Sequence, residues 1–200
     1  MLRWIKVVIG ARLTPLVARV PGVRPWMVTC AGAALGVTGG VLVALGWAWL
    51  GALAAASGQI LDAIDGQLAR LAGCESRFGA FLDSVLDRYA DGAMVIGCII
   101  YLVRLPAPLP LWALLTLGGL ALMGSNAVSY SAARAESLGL PVGPPTMASK
   151  GTRSVVMIAC AAGTVVWAPA PLVAIVYLAI HPTAAVVRRI IRARHDRHPD

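Results

Sequence analysis

Long uncharged stretches, each closed by a short polar or Gly/Pro-rich segment, set the rhythm of this chain. No charged residue occurs from Pro25 to Leu61. A membrane crossing needs about 20 apolar residues, so this run is too long for one span and sufficient for two, the second ending near residue 70. Gly46-Trp47-Ala48-Trp49 reads as the turn between them, with its indoles at headgroup level. A second uncharged run, 154–187, supplies two further spans around WAPAPL (167–172). Between these runs, 77–103 and 109–132 read as single spans separated by Arg104 and a proline-rich turn. The pattern predicts an all-α integral membrane protein with six transmembrane helices. Gly32, Gly36 and Gly40 form overlapping GxxxG patterns, so the first span is expected to pack closely on a neighbour.

The ends differ from the middle. Residues 1–22 mix Arg3, Lys6, Arg12 and Arg19 with Trp4, Ile5, Val7, Val8, Ile9, Leu13 and Leu16, too many charges to span. They read as an amphipathic helix lying in the cytoplasmic interface. Lys6 and Arg12 also interrupt any signal-like apolar run. Residues 25–190 form the six-span bundle and 191–200 a basic tail, all one domain.

Composition agrees: 58% of residues are hydrophobic and 13% charged, and the mean hydropathy of +0.78 excludes an ordinary soluble domain. A net charge of +8 would suggest nucleic acid in a soluble protein. Here the cations flank apolar segments, so no nucleic-acid partner is expected. Sixteen of the 17 Lys and Arg fall on one predicted side, with Arg104 the exception. The positive-inside rule then puts both termini and the 71–76 and 133–153 loops in the cytoplasm, with the protein in the plasma membrane. Even span number and charge count agree. The four cysteines are scattered without ligand or disulfide spacing and read as small core residues.

Acidic residues break the pattern. The chain has nine Asp and Glu, and Asp62, Asp65, Glu75, Asp83, Asp87 and Asp91 all fall within 61–92. Carboxylates inside or at the edge of a membrane are costly and mark function. On a helix Asp62 and Asp65 lie about 60° apart, and Asp83 and Asp87 about 40° apart. Both pairs flank one short loop. If their helices are antiparallel neighbours, four carboxylates converge and repel strongly unless a cation binds. Such hard oxygen ligands suit Mg²⁺, Mn²⁺ or Ca²⁺. Pairing with Arg70, Arg77 and Arg88 is the alternative, but three cations do not offset five aspartates. Asp91, with Arg88 at i−3, reads as a structural pair. Gly66 and Ala69 leave the backbone open beside the acids, and Gly79 allows helices to touch. Arg70 stands where its planar fork can grip a phosphate. The combination suits phosphoryl chemistry on an amphiphilic substrate.

Asp62-x2-Asp65-Gly66-x2-Ala69-Arg70-x8-Gly79-x3-Asp83-x3-Asp87 resembles, at all eight positions, the signature of the CDP-alcohol phosphatidyltransferases. The resemblance implies a six-span homodimer. Its reaction moves a phosphatidyl or other substituted phosphoryl group from a CDP-linked donor, typically CDP-diacylglycerol, to a polar alcohol with release of CMP. It further implies two Mg²⁺ or Mn²⁺ ions on Asp62, Asp65, Asp83 and Asp87, with Asp87 also the catalytic base. Pro25, Thr29, Gly66, Arg70, Ser76 and Gly79 would hold the donor, with the active site facing the cytoplasm. SYSAARAESLGL (129–140) and Lys150-x2-Arg153 are similar to the inositol-phosphate-using branch, which implies an acceptor-phosphate site from Arg134, Lys150, Arg153 and one of Arg188 or Arg189. Ala132 stands where that branch usually has a basic residue, and Trp26 where the family commonly has Asn or Asp. SRFGAFLDSVLDRYADG is also similar to enzymes that use CDP-inositol as donor. A cation transporter is the reading from another class, but the chain has no internal repeat and its acids sit beside Arg70.

Overall fold

The computed structural model describes residues 12–106, 109–140, 142–144 and 147–195. Six long helices follow one another: α1 (Pro25–Ala44), α2 (Ala48–Leu71), α3 (Arg77–Val103), α4 (Leu111–Ser137), α5 (Lys150–Ala162) and α6 (Ala170–His195). A 3₁₀ turn, Gly163–Val165, extends α5, and no strand occurs among the described residues. The chain is a helical membrane protein. The helices α1 and α4, and α6 over Ala170–Arg194, are long and apolar enough to cross a bilayer. The carboxylates of α2 and α3 and the 13-residue length of α5 set those helices apart.

The centre of the fold is α1, which is wedged between α2 and α3. Its glycines serve two partners at once. A Cβ at Gly32 would stand 3.1 Å from the Gly58 carbonyl oxygen, and one at Gly39 would stand 2.8 Å from that of Gly51, both on α2. On the opposite flank Gly36 abuts Ala90 and Gly40 abuts the Ala93 backbone, both on α3. The single close neighbour expected from GxxxG is therefore two neighbours, and Gly39 joins the set. Small residues allow this approach because backbones touch without side chains between them. One expectation fails as a result: α2 and α3 have no substantial packing of their own, because α1 separates them.

The second half of the bundle is α6 packed on α4, with α5 bridging to α2. Pro182 lies within α6, where it cannot donate to the Leu178 carbonyl. Gly124 of α4 approaches at that point: a Cβ there would stand 3.3 Å from the Leu178 oxygen.

The ends depart from the sequence expectations. Residues 1–11 of the expected interfacial helix and 196–200 of the expected tail lie outside the described residues. Residues 12–18 are helical, and Leu13 and Val17 pack on Val28, Ile64 and Leu68. Thr14 is buried and donates to Gln67 Oε1 at 3.4 Å. This segment is docked on the bundle by its apolar side. The tail starts later than expected because α6 continues to His195, and α4 runs on to Ser137. No proline interrupts either stretch, so nothing there stops the helix.

Candidate active site

A tight α2–α3 loop and helix rise together bring the acids level. Gly73, at φ +59°, turns the chain after α2, and the Ser76 hydroxyl caps α3 by accepting from the Gly79 N–H at 3.0 Å. Asp62 stands nine residues before the end of α2, and Asp87 ten after the start of α3. At 1.5 Å per residue both lie about 14–15 Å from the loop, while Asp65 and Asp83 lie about 9 Å from it. The acids therefore converge across a gap, although α2 and α3 do not pack together.

Carboxylate oxygens of Asp62, Asp83 and Asp87 lie within 4.8 Å of one another. Asp65, expected with them, is not in that trio but lies buried beside it, lining one space with Thr29 of α1 and Asp83. Its Oδ1 accepts from the Gly66 N–H at 2.5 Å, while its Oδ2 is buried without a hydrogen-bond partner. A buried anionic oxygen without a donor is expensive. Three clustered carboxylates beside it form the all-oxygen donor set that hard divalent cations prefer. The residues fit such an ion.

Two cavities lie beside this cluster, one lined by Asp83 and the other by Lys150, which contacts Asp62 and Asp87. The first, about 280 Å³, is lined by Pro25, Thr29, Gly66, Arg70, Ser76 and Gly79, together with Trp26, Asp65 and Asp83. All six residues assigned to the donor from sequence thus face one space. Gly79 departs from expectation in one respect: a Cβ there would meet Ser76 Oγ at 3.1 Å, so it opens the cavity instead of admitting a helix.

The second cavity, about 440 Å³, is lined by Ser129, Ala132, Ser149, Lys150, Arg153 and Arg189, among others. Arg189 is the one of its pair that faces inward, donating to the Val128 carbonyl at 2.8 Å and to Ser131 Oγ at 2.5 Å. Arg188 is exposed and does not line this cavity. Arg134 is likewise exposed, with its guanidinium 3.5 Å from Ser137 Oγ. Neither lines this cavity, because their helix faces point elsewhere.

Arg153 and Lys150 sit deeper than the sequence suggested. Arg153 is only 4% exposed and donates to Ala148 O at 2.8 Å, Asp91 Oδ2 at 3.2 Å and Ser129 Oγ at 3.3 Å. Asp91 is therefore held by Arg153 more closely than by Arg88, which lies at 4.0 Å. Lys150 Nζ reaches Asp62 Oδ1 at 2.7 Å and Asp87 Oδ2 at 2.5 Å. Sequence reasoning missed Ser129 and Ser131, whose hydroxyls steady these arginines, and Tyr177, whose hydroxyl donates to Met147 O at 2.5 Å ahead of α5. No fixed spacing links them to their partners.

Known proteins resemble this chain in sequence and fold. A phosphatidylinositol phosphate synthase of Cutibacterium acnes is 35% identical over 173 residues, covering 80% of this chain and 82% of its own. The crystal structure of Mycobacterium tuberculosis phosphatidylinositol phosphate synthase with CDP-DAG bound superposes with a TM-score of 0.78 at 27% identity, covering 98% of this chain and 99% of that one. A crystal structure of the same protein with manganese and citrate gives a TM-score of 0.79 at 26% identity, covering 97% and 93%. The family model for CDP-alcohol phosphatidyltransferases matches residues 23–191, and this chain belongs to that family.

Proposed function

We propose that this membrane transferase moves the phosphatidyl group of CDP-diacylglycerol to a hydroxyl of inositol phosphate, releasing CMP. One observation carries the reading: the clustered aspartates adjoin two cavities that carry charged and polar side chains. Asp83 lines the first, and Lys150, which contacts Asp62 and Asp87, lines the second. A donor in the first cavity and an acceptor in the second would meet at one acidic cluster, which is what transfer between them requires.

Each part has a role. Asp62, Asp65, Asp83 and Asp87 would hold two Mg²⁺ or Mn²⁺ ions, which when bound would supply positive charge to offset the diphosphate and the departing CMP. Arg70 grips the diphosphate through its planar fork. Gly66 and Gly79 leave room for it, and Pro25, Thr29 and Ser76 line the nucleotide's side. Asp87 accepts the acceptor's hydroxyl proton as the new P–O bond forms and the bond to CMP breaks. Lys150, Arg153 and Arg189 give the second cavity the positive charge that a phosphorylated acceptor requires. Ala132 on its wall leaves the remaining cations to supply that charge.

The surrounding architecture is part of the same reading: one domain, six spans, both termini and the site on the cytoplasmic side of the plasma membrane, and a homodimer. The charge asymmetry supports the orientation. The test is purified protein with labelled CDP-diacylglycerol, Mn²⁺ and a panel of inositol phosphate, inositol, glycerol phosphate and serine. A chromatographed phosphatidylinositol phosphate is the expected product. A product formed only with another acceptor, or only when CDP-inositol replaces the lipid donor, overturns the assignment.

A further inference from the structure

We propose that Lys150 is a counter-cation shared between the aspartate cluster and the acceptor cavity, so that divalent-ion binding releases its ammonium and makes anion binding in that cavity depend on the metal. The inference rests on the metal and acceptor reading above. The ammonium lies between Asp62 Oδ1 and Asp87 Oδ2, using carboxylate oxygens that ion ligation requires. An ammonium and a divalent ion in that space repel strongly at low dielectric. The side chain has somewhere to go. Lys150 opens α5 and also lines the cavity that contains Ser149, Arg153 and Arg189. Its four-carbon stem and three rotatable donors can exchange two carboxylates for a phosphate without moving the helix. Arg153 and Arg189 are different: both donate to main-chain carbonyls, of Ala148 and Val128, so the fold fixes them whether or not an ion is bound. Lys150 is the cation of the three held by the clustered aspartates themselves.

The experiment uses the full chain in detergent, without donor, and reads Mn²⁺ binding from the loss of free-ion EPR signal and inorganic phosphate binding by calorimetry. In the wild type, Mn²⁺ tightens phosphate binding by about tenfold, and phosphate tightens Mn²⁺ binding by the same factor. Lys150→Met binds Mn²⁺ about tenfold more tightly than wild type, and its phosphate affinity is weak and indifferent to Mn²⁺. Lys150→Gln, a polar replacement without charge, gives the same readings if the Met variant does not fold. Unchanged or weaker Mn²⁺ binding in these variants overturns the proposal. So does a phosphate affinity that still depends on Mn²⁺, since the phosphate then sits on the ion. A wild type that binds no Mn²⁺ overturns the metal reading itself, and the exchange with it.

Discussion

The cavity beside Asp65 and the cavity beside Lys150 adjoin one aspartate cluster, the first through Asp83 and the second through Lys150, but treat their polar groups differently. In the first, Asp65 Oδ2 has no hydrogen-bond partner and Arg70 stands exposed at the rim. In the second, Arg153 is tied to Asp91, Ser129 and a carbonyl, Arg189 to Val128 and Ser131, and Lys150 to two carboxylates. The proposed donor side keeps polar atoms available for ligands, while the proposed acceptor side has committed Arg153 and Arg189 to the fold and lends Lys150 to the aspartates. A buried cation held by several partners is costly to remove, because each partner is left unpaired. Loss of function and loss of stability should therefore separate on the donor side and coincide on the acceptor side.

The largest effect is expected at the aspartates. Asp62→Ala should take turnover to background and abolish Mn²⁺-dependent binding of CDP-diacylglycerol, with the melting temperature little changed. EDTA-insensitive turnover with retained affinity would break the donor side of the comparison. Next comes Asp87→Asn, which should lower kcat roughly 10²- to 10⁴-fold, the range of a lost general base, while the donor still binds. Unchanged turnover removes Asp87 as the base.

A smaller effect tests the acceptor side. Arg153→Ala leaves Asp91 with only the more distant Arg88 and should cost about 3 kcal/mol of stability by denaturant titration, with acceptor KM raised far more than donor KM. Replacing both together, Arg153→Met with Asp91→Leu, should recover much of that stability without restoring the KM. A single variant that keeps full stability would invert the comparison. The smallest effect is expected from Arg134→Ala and Arg188→Ala, exposed positions outside both cavities. Each should change stability by no more than about 0.5 kcal/mol and leave the acceptor KM at its wild-type value.

The same contrast explains what could be read in advance. The donor side is written at fixed helical intervals, i to i+3 on α2 and i to i+4 on α3, joined by a loop too short to allow other arrangements. Asp62, Asp83 and Asp87 could therefore be brought together from spacing alone. The route was misjudged, since α2 and α3 approach through α1 and not through each other. On the acceptor side no interval connects Lys150 with Asp62, 88 residues away, or Arg153 with Asp91, 62 residues away. The family resemblance offered five basic candidates there, and the packing of α6 on α4 turned Arg189 inward and left Arg188 outside.

By itself the sequence determined the helical membrane character, the acidic site and its hard-cation chemistry, because these follow from local periodicity and from the expense of burying charge in lipid. Tertiary structure alone decided that α1 is the wedge and that Arg153 belongs to Asp91. It also decided that Lys150 stands between two carboxylates. Those outcomes depend on which helix faces meet, and a helix face is chosen by the close packing of glycines on distant segments, an interaction with no fixed interval along the chain.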